Sequence, residues 1–313
     1  YADKVIVVTD NMVPFPCIPW QIQGNYVDFT VRVEKLGDPS KIISGTTEIT
    51  RSPDRLLLAE LTAKFCEAAG IIRDGFSFQS GAGGTSLAVG EYFRKIMKEK
   101  NIRARFARGG SNKYLVAMLK EGLLDYILDG QTFDLDGVRS MGENPGHVWT
   151  SPFTSYNYHG KGNFAGLVDV VILGATEVDL DFNANVVTHS DGYLLHGIGG
   201  WQNCLFSKKV ILPVPLFRDR IPVIREKVTT LCGPGELIDV IVTERGIAIN
   251  PLRKDLIEAV KDSGLPIVTI QELKEMADSI CGIPEDPEHG DEIVAVIKWV
   301  DGTIIDSVWK VGS

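Results

Sequence analysis

The sequence predicts an α/β protein with a layered fold around a largely parallel, mixed central sheet, closed by a C-terminal β-hairpin. Three observations carry that reading. Short β-branched runs alternate with helical stretches, glycine-rich turns follow strands, and two alternating strands end the chain around an Asp-Gly pair. Strand–helix alternation is what crossover units produce, with parallel strands side by side and helices on their faces. The 313 residues, 44% of them hydrophobic, suffice to bury a large core in one large or two ordinary domains.

The first element is Val5-Ile6-Val7-Val8, a β-branched run of the kind buried on both sheet faces. Pro14, Pro16 and Pro19 then interrupt regular structure around Cys17 and Trp20. Over 26–33 the pattern alternates, with Val27, Phe29, Val31 and Val33 on one face, which predicts a half-buried strand. Residues 37–52 read as a connector. So abrupt an opening, on a core strand, leads us to expect a fragment. Residues 1–51 would be the end of an incomplete N-terminal domain plus the connector, and 52–313 the main domain.

Ser52 as cap and Pro53 as first helical residue start the first helix. Leu57, Leu61, Phe65 and Ala68 form its apolar stripe, and Gly70 closes it. A short strand at 76–78 runs into Gly81-Ala82-Gly83-Gly84, and a second helix follows with Val89, Phe93 and Met97 on one stripe. A strand near 104–107, a helix over 112–121 and a strand at 126–128 continue the rhythm. Buried strands are expected at 168–173, 210–214 and 239–243. Asn250 and Pro251 cap a helix carrying Leu256, Ile257 and Val260. After a strand at 267–268, Thr269 and Glu272 make a capping box for a helix that ends before Gly282. Strands at 293–300 and 303–311 flank Asp301-Gly302, a hairpin signal. They are expected to join the sheet antiparallel and so make it mixed.

The formal net charge of −9 argues against a nucleic-acid binder, which carries a basic face. Cys17, Cys66, Cys204, Cys232 and Cys281 are scattered and never spaced as C-x-x-C. That favours free thiols in a reducing, cytoplasmic setting and speaks against a zinc ribbon or other metal site. No apolar run reaches the roughly 20 residues that span a bilayer.

Chemistry can gather at three glycine-rich turns. Ser80-Gly81-Ala82-Gly83-Gly84-Thr85 lies between a strand and a helix, where glycines admit a ligand close to the backbone and the helix start offers N–H groups to an oxyanion. It lacks the Gly-Lys-Ser/Thr of a phosphate-binding loop, and plain strand-to-helix packing is the competing explanation. His196-Gly197-Ile198-Gly199-Gly200-Trp201 is a second approach loop, with His196 either a base or a structural residue. Gly233-Pro234-Gly235 reads as a simple bend. Glu177 follows a buried strand and Gly174, where α/β sheets build sites. Asp179 and Asp181 suit a cation or, more commonly, a solvated turn. Glu143 belongs to an exposed loop. Arg108 can clamp a carboxylate, or it joins Arg103 and Arg105 in offsetting an acidic surface.

Taken together, in order and spacing, the 76–84 segment, Val171-Ile172-Leu173-Gly174-Ala175-Thr176-Glu177-Val178-Asp179, Leu195-His196-Gly197-Ile198-Gly199-Gly200 and Val242-Thr243-Glu244-Arg245-Gly246-Ile247-Ala248 resemble the CoA-transferase family. The 3–10 segment and Ser44-Gly45-Thr46-Thr47-Glu48-Ile49-Thr50 are similar to its citrate lyase alpha-chain branch. The resemblance covers nearly the whole chain and implies a CoA-transferase-like fold. It implies that Gly81, Gly83 and Gly84 in one loop, and Gly197, Gly199 and Gly200 in the other, bind the thioester end of CoA or of a phosphopantetheine-type (phosphoribosyl-dephospho-CoA) group on an acyl carrier subunit. Many members carry a nucleophilic glutamate where this chain has Arg105-Phe106-Ala107-Arg108-Gly109-Gly110-Ser111, without a carboxylate. That fits the branch whose members act through a ternary complex.

The implied activity is transfer of the thioester from acetyl to citrate through a mixed anhydride. Gly83, Gly84, Arg108 and Glu177 would be its catalytic residues, with Arg108 holding citrate. The implied partners are a beta (lyase) subunit and an acyl carrier (gamma) subunit in an oligomer. The pattern departs at Asn203, where the branch carries an aspartate after Gly-Gly-x-x. A transferase for another carboxylate, and a carrier-binding assembly subunit without catalysis, stay open as alternatives.

Overall fold

The computed structural model describes residues 3–18, 20, 22–38, 47–157 and 163–312. Pro19 and the Ser44-Gly45-Thr46 part of the resembling segment lie outside them. The chain divides into two compact units, Tyr1–Ser44 and Gly45–Ser313. The division precedes 51 because the end of the connector belongs to the second unit. Thr50 donates its N–H to Gly84 at 3.2 Å, and Ile49 packs against the main core.

In the first unit Ile6–Thr9 pairs in parallel with Phe29–Arg32. The first strand was expected buried on both faces and the second half-buried, yet Ile6 is 58% and Phe29 57% exposed. Among the described residues the ribbon has no third strand beside it.

The second unit is built on a sheet of nine strands. In spatial order they are Ile267–Val268, Gly246–Ile249, Val240–Thr243, Val210–Pro213, Val170–Ile172, Ser77–Ser80, Ala104–Ser111, Leu124–Thr132 and His147–Trp149. Seven run parallel. The sheet is mixed because Gly246–Ile249 turns back antiparallel on Val240–Thr243. The C-terminal hairpin, His289–Lys298 with Ile304–Val311, forms a separate two-stranded sheet and does not join the main one. It pairs within itself, and the sheet edge at 246–249 is taken by Ile267–Val268.

Successive strand residues face opposite sides, and each side has its own core. Phe78, Val170, Ile211 and Val242 pack with Leu58, Phe65, Val89, Phe93 and Met97 of helices Pro53–Ala68 and Gly84–Lys100. Val171, Leu212 and Ile241 pack on the other side with Val178, Leu273, Ala277, Ile297 and Val308. This second layer combines helix Ile270–Cys281, the hairpin and a small sheet of Ile224–Arg225, Glu177–Asp179 and Ala184–Asn185. Both bonds of the Thr269/Glu272 capping box are present. The helix at Lys254–Val260 starts later than Asn250. The Asn250 amide instead donates to Gly235 O and Ile238 O, which ties down a buried loop.

The strand order places the first sheet strand, Ser77–Ser80, in the middle. From it the chain winds outward through 104–111, 124–132 and 147–149, then returns to its other side at Val170–Ile172 and winds the opposite way. The reversal makes a topological switch point, the candidate crevice, at the carboxyl ends of Ser77–Ser80 and Val170–Ile172. Open α/β sheets bind ligands at such switch points.

Candidate functional site

Ser80 pairs in register with Ile172, so the Gly81–Gly84 turn and the Leu173-Gly174-Ala175 turn leave the sheet side by side. The 196–201 loop joins them through its end. Trp201 Nε1 donates to Gly174 O at 2.9 Å, and Gln79 Nε2 donates to Cys204 Sγ at 3.0 Å. The Trp201 ring also lies over Gly233, where a Cβ would meet it at 2.5 Å. Gly235 is as constrained, with a Cβ falling 1.8 Å from Asp181 O. The bend at 233–235 is therefore a packing point.

The glycines around the crevice separate by what the fold asks of them. A Cβ on Gly84 would stand 3.0 Å from Glu48 O and Thr50 N, and one on Gly81 3.3 Å from Ser86 Oγ. Gly199 sits at φ 59°, the left-handed region that favours glycine. Gly83, Gly174 and Gly197 have no left-handed φ, and a Cβ on any of them would meet nothing within 4 Å. Gly83 caps helix Gly84–Lys100, whose first N–H groups have no partner within the helix. Gly200 caps the short helix Trp201–Cys204.

Arg108 does not lie in a turn. Ala104–Ser111 is one strand, and the register shift at Gly109/Gly110 leaves Gly130 of the neighbouring Leu124–Thr132 strand as the extra residue of a bulge. Phe78 pairs with Ala107, which puts Gln79 and Arg108 together on the opposite face, the side of Cys204. Arg108 is 1% exposed and cannot serve as surface charge. Arg103 does so, in an ion pair with Asp125. Burial pushes the Cys204 thiol above its usual range, with Arg108 and Gln79 pulling the other way.

The end of this strand is held by a buried network. Asp129 accepts from Ser111 Oγ at 2.5 Å, Thr132 Oγ1 at 2.8 Å and Gln131 N at 2.8 Å. His147 Nε2 is 3.1 Å from the same carboxylate, and its Nδ1 is 2.9 Å from Ser140 Oγ. Burial pushes the Asp129 carboxyl up, but the bonds from His147, Ser111, Thr132 and the Gln131 N–H outweigh it and hold it below its usual range. No spacing in the sequence announces this set, because its members come from separate elements.

Other expected residues have settings of their own. Glu177 is fully buried, and its oxygens take bonds from Asn185 Nδ2 at 3.0 Å, Arg225 Nη1 at 3.2 Å, Thr229 N at 2.8 Å and Thr229 Oγ1 at 3.1 Å. Asp179 is buried, not solvated, and accepts from the Asp181 and Asn183 N–H groups. Burial raises its carboxyl above the usual range against those bonds. His196 is exposed, with Nδ1 2.8 Å from Gly197 O. Glu143 is exposed at a helix end.

Arg218, missed in the sequence because one arginine in a short strand carries no pattern, clamps the 174–176 turn. Its guanidinium donates to Ala175 O at 2.7 Å and Thr176 O at 2.8 Å. Burial, with repulsion from Arg55, lowers its pKa to about 10. Surface grooves lie elsewhere as well, among them two lined by charged and aromatic side chains. One follows the hairpin beside Lys227, Asp286, His289 and Trp309, and one opens at the strands' amino ends beside Arg105, Tyr126, Asp169 and Lys208. All five cysteines are free, and no helix among the described residues is long and apolar enough to cross a membrane.

A doubly wound, mixed sheet whose switch point is ringed by glycine turns is consistent with a CoA-transferase-like α/β fold. Residues 1–311 match the family model of the citrate lyase alpha subunit (CitF), and the chain belongs to that family. It is 42% identical over 312 residues to the citrate lyase alpha chain of Haemophilus influenzae and 39% to that of Klebsiella pneumoniae. A solved structure described as the alpha subunit of citrate lyase in complex with citrate, from Streptococcus mutans, superimposes with a TM-score of 0.95 at 43% identity over 100% of this chain. A Pseudomonas malonate decarboxylase hetero-tetramer in complex with malonate, 18% identical with a TM-score of 0.60 over 90% of this chain and 61% of its own, shares the fold. The chain spans 62% of the Haemophilus relative and 61% of the Klebsiella one, and 62% of the Streptococcus chain.

Proposed function

We propose that this chain acts as a citrate lyase alpha subunit, passing a thioester from acetyl to citrate. The supporting observation is that Gly83, Gly174 and Gly197, in three turns linked to the sheet's switch point, are glycines at which a Cβ would meet nothing. Space that a side chain would fill suits the narrow thiol end of a CoA or phosphopantetheine-type group, here a substrate carried on an acyl carrier subunit. Gly81 and Gly83 on one side, and Gly197, Gly199 and Gly200 on the other, would line its path. Arg108 would hold citrate. Glu177 would act at one remove, by fixing Arg225 and Thr229, and touch no substrate.

In this reading a citrate carboxylate oxygen attacks the acetyl carbonyl, the C–S bond breaks and the thiolate leaves a mixed citric–acetic anhydride. The thiolate then attacks the citryl carbonyl and acetate departs, so one thioester replaces another without an enzyme-bound acyl group. The rate would come from alignment and from N–H groups at Gly83 and Gly84 facing the oxyanion. A lyase subunit and an acyl carrier would be the partners in a cytoplasmic oligomer, a setting that the free thiols suit.

Incubating the protein with acetyl-CoA and labelled citrate tests this directly. Citryl-CoA and free acetate are the expected products. Label passing only to a different acid would replace citrate as substrate, and carrier binding without exchange would leave an assembly subunit. An acyl adduct trapped on any side chain during turnover would sink the ternary-complex route.

A further inference from the structure

Gln79 occupies the third position of the Ser77–Ser80 strand, beneath the Gly81 turn, and is 8% exposed. Its amide nitrogen donates to Cys204 Sγ, a weak acceptor. Its amide oxygen is buried with no hydrogen-bond partner among the described residues. Buried polar atoms in native proteins are almost always paired, and an exception calls for an explanation. Slack in the side chain does not supply one. A Cβ at Gly109 would stand 3.2 Å from Gln79 Cγ and Cδ, so the neighbouring strand lies directly against the amide. The opposite side of that strand is blocked as well, since a Cβ on Gly110 would enter the Phe133 ring at 1.7 Å. The amide is therefore held on the face it shares with Arg108 and Cys204.

We propose that the Gln79 amide binds the hydroxyl of a hydroxy acid whose carboxylate is held by Arg108. The proposal rests on the reading above that Arg108 receives the acid. A carboxylate only accepts hydrogen bonds, so it cannot satisfy the amide oxygen. A hydroxyl donates to that oxygen and, if the amide is turned over, accepts from the nitrogen instead. Arg108 beside Gln79 thus distinguishes an acid bearing a neighbouring hydroxyl from its deoxy counterpart. Discrimination of this kind is steep, because the deoxy acid leaves the buried amide unpaired. Gln79 is then a specificity-determining residue of the crevice.

The test compares citrate with propane-1,2,3-tricarboxylate, which has the same three carboxylates without the hydroxyl. Affinities are measured by calorimetry on the wild-type chain, Gln79→Leu and Gln79→Met, with thermal melting to establish that each variant is folded. Exchange from acetyl-CoA is followed in parallel. The wild type should prefer citrate by at least about tenfold. In the folded variants the ratio should fall to within about twofold of unity, with affinity for the deoxy acid retained.

A wild type that binds both acids equally overturns the proposal without any variant. An unchanged ratio in a folded variant overturns it too. If the preference behaves as expected while citryl-CoA never forms, the Gln79 assignment stands and the transferase reading fails. If exchange proceeds and the ratio ignores the substitution, the reverse holds. A wild type that binds neither acid removes both.

Discussion

Gly83 and Gly84 are neighbours that are glycine for different reasons, and substitution separates them. A Cβ on Gly84 meets backbone of Glu48 and Thr50 at 3.0 Å, atoms that cannot rotate away. Gly84→Ala should lower stability by about 1–2 kcal/mol in urea denaturation. Gly83 has φ −70° and ψ 151°, ordinary values for any cap residue, with open space beside it. Gly83→Asn keeps a good cap, so stability should hold within about 0.5 kcal/mol while kcat/KM for exchange falls at least about 100-fold. Loss of activity only in proportion to lost folding would remove Gly83 from the site. The sequence made both residues look alike, because a run of glycines reveals permission for close approach but not which neighbour uses it. Gly174 carries the same mark as Gly83, yet as a single glycine between apolar residues it drew notice only as a companion of Glu177.

At the scale of elements, local chemistry was legible where it acts within a few residues. The capping box at Thr269/Glu272, the Pro53 start and the Val89/Phe93/Met97 stripe all fell where expected, because each is written in residues a turn or two apart within one helix. The strands at 104–111 and 124–132 were read short, because Gly109, Gly110 and Gly130 look like turn residues. What keeps that backbone extended is its neighbour: Ser111 and Thr132 both donate to Asp129, which His147 also contacts. This network makes the stability depend on pH in a definite sense. The folded Asp129 carboxyl is held below its usual range, which serves as its unfolded value. Its contribution is therefore complete above the unfolded value and is lost as pH falls through the folded one. Asp129→Asn should cost about 2–4 kcal/mol at pH 7. The difference from wild type should shrink below about pH 4, where the unfolded carboxyl of the wild type takes up its proton. Urea midpoints at pH 7 and pH 3.5 measure this, and an equal loss at both would assign the effect to packing alone.

For the molecule as a whole, strand–helix alternation announced the α/β layering, but not the order of the strands. Nothing local tells the chain after His147–Trp149 to return to the far side of Ser77–Ser80, and that return creates the crevice. The fate of Glu177 follows from the same gap. From sequence it stands three residues beyond Gly174, at the mouth of a parallel strand, which is where reacting groups collect. In three dimensions the chain has already passed into the second layer, where Glu177–Asp179 pairs with Ile224–Arg225 and Ala184–Asn185. With Arg225 4% exposed and Glu177 fully buried, this ion pair sits inside the layer that covers one face of the sheet. Removing Glu177 leaves the buried Arg225 with only the exposed Asp286 carboxylate, 3.5 Å from Nη2, a loss of about 3–5 kcal/mol. Glu177→Gln should therefore lower the thermal midpoint markedly, while kcat/KM per folded molecule stays within about twofold of wild type. A second substitution, Arg225→Met, made in the Glu177→Gln background, should recover part of the loss by removing the stranded cation. If activity per folded molecule instead collapses in Glu177→Gln, and the double variant restores stability without restoring exchange, then Glu177 belongs among the reacting groups after all.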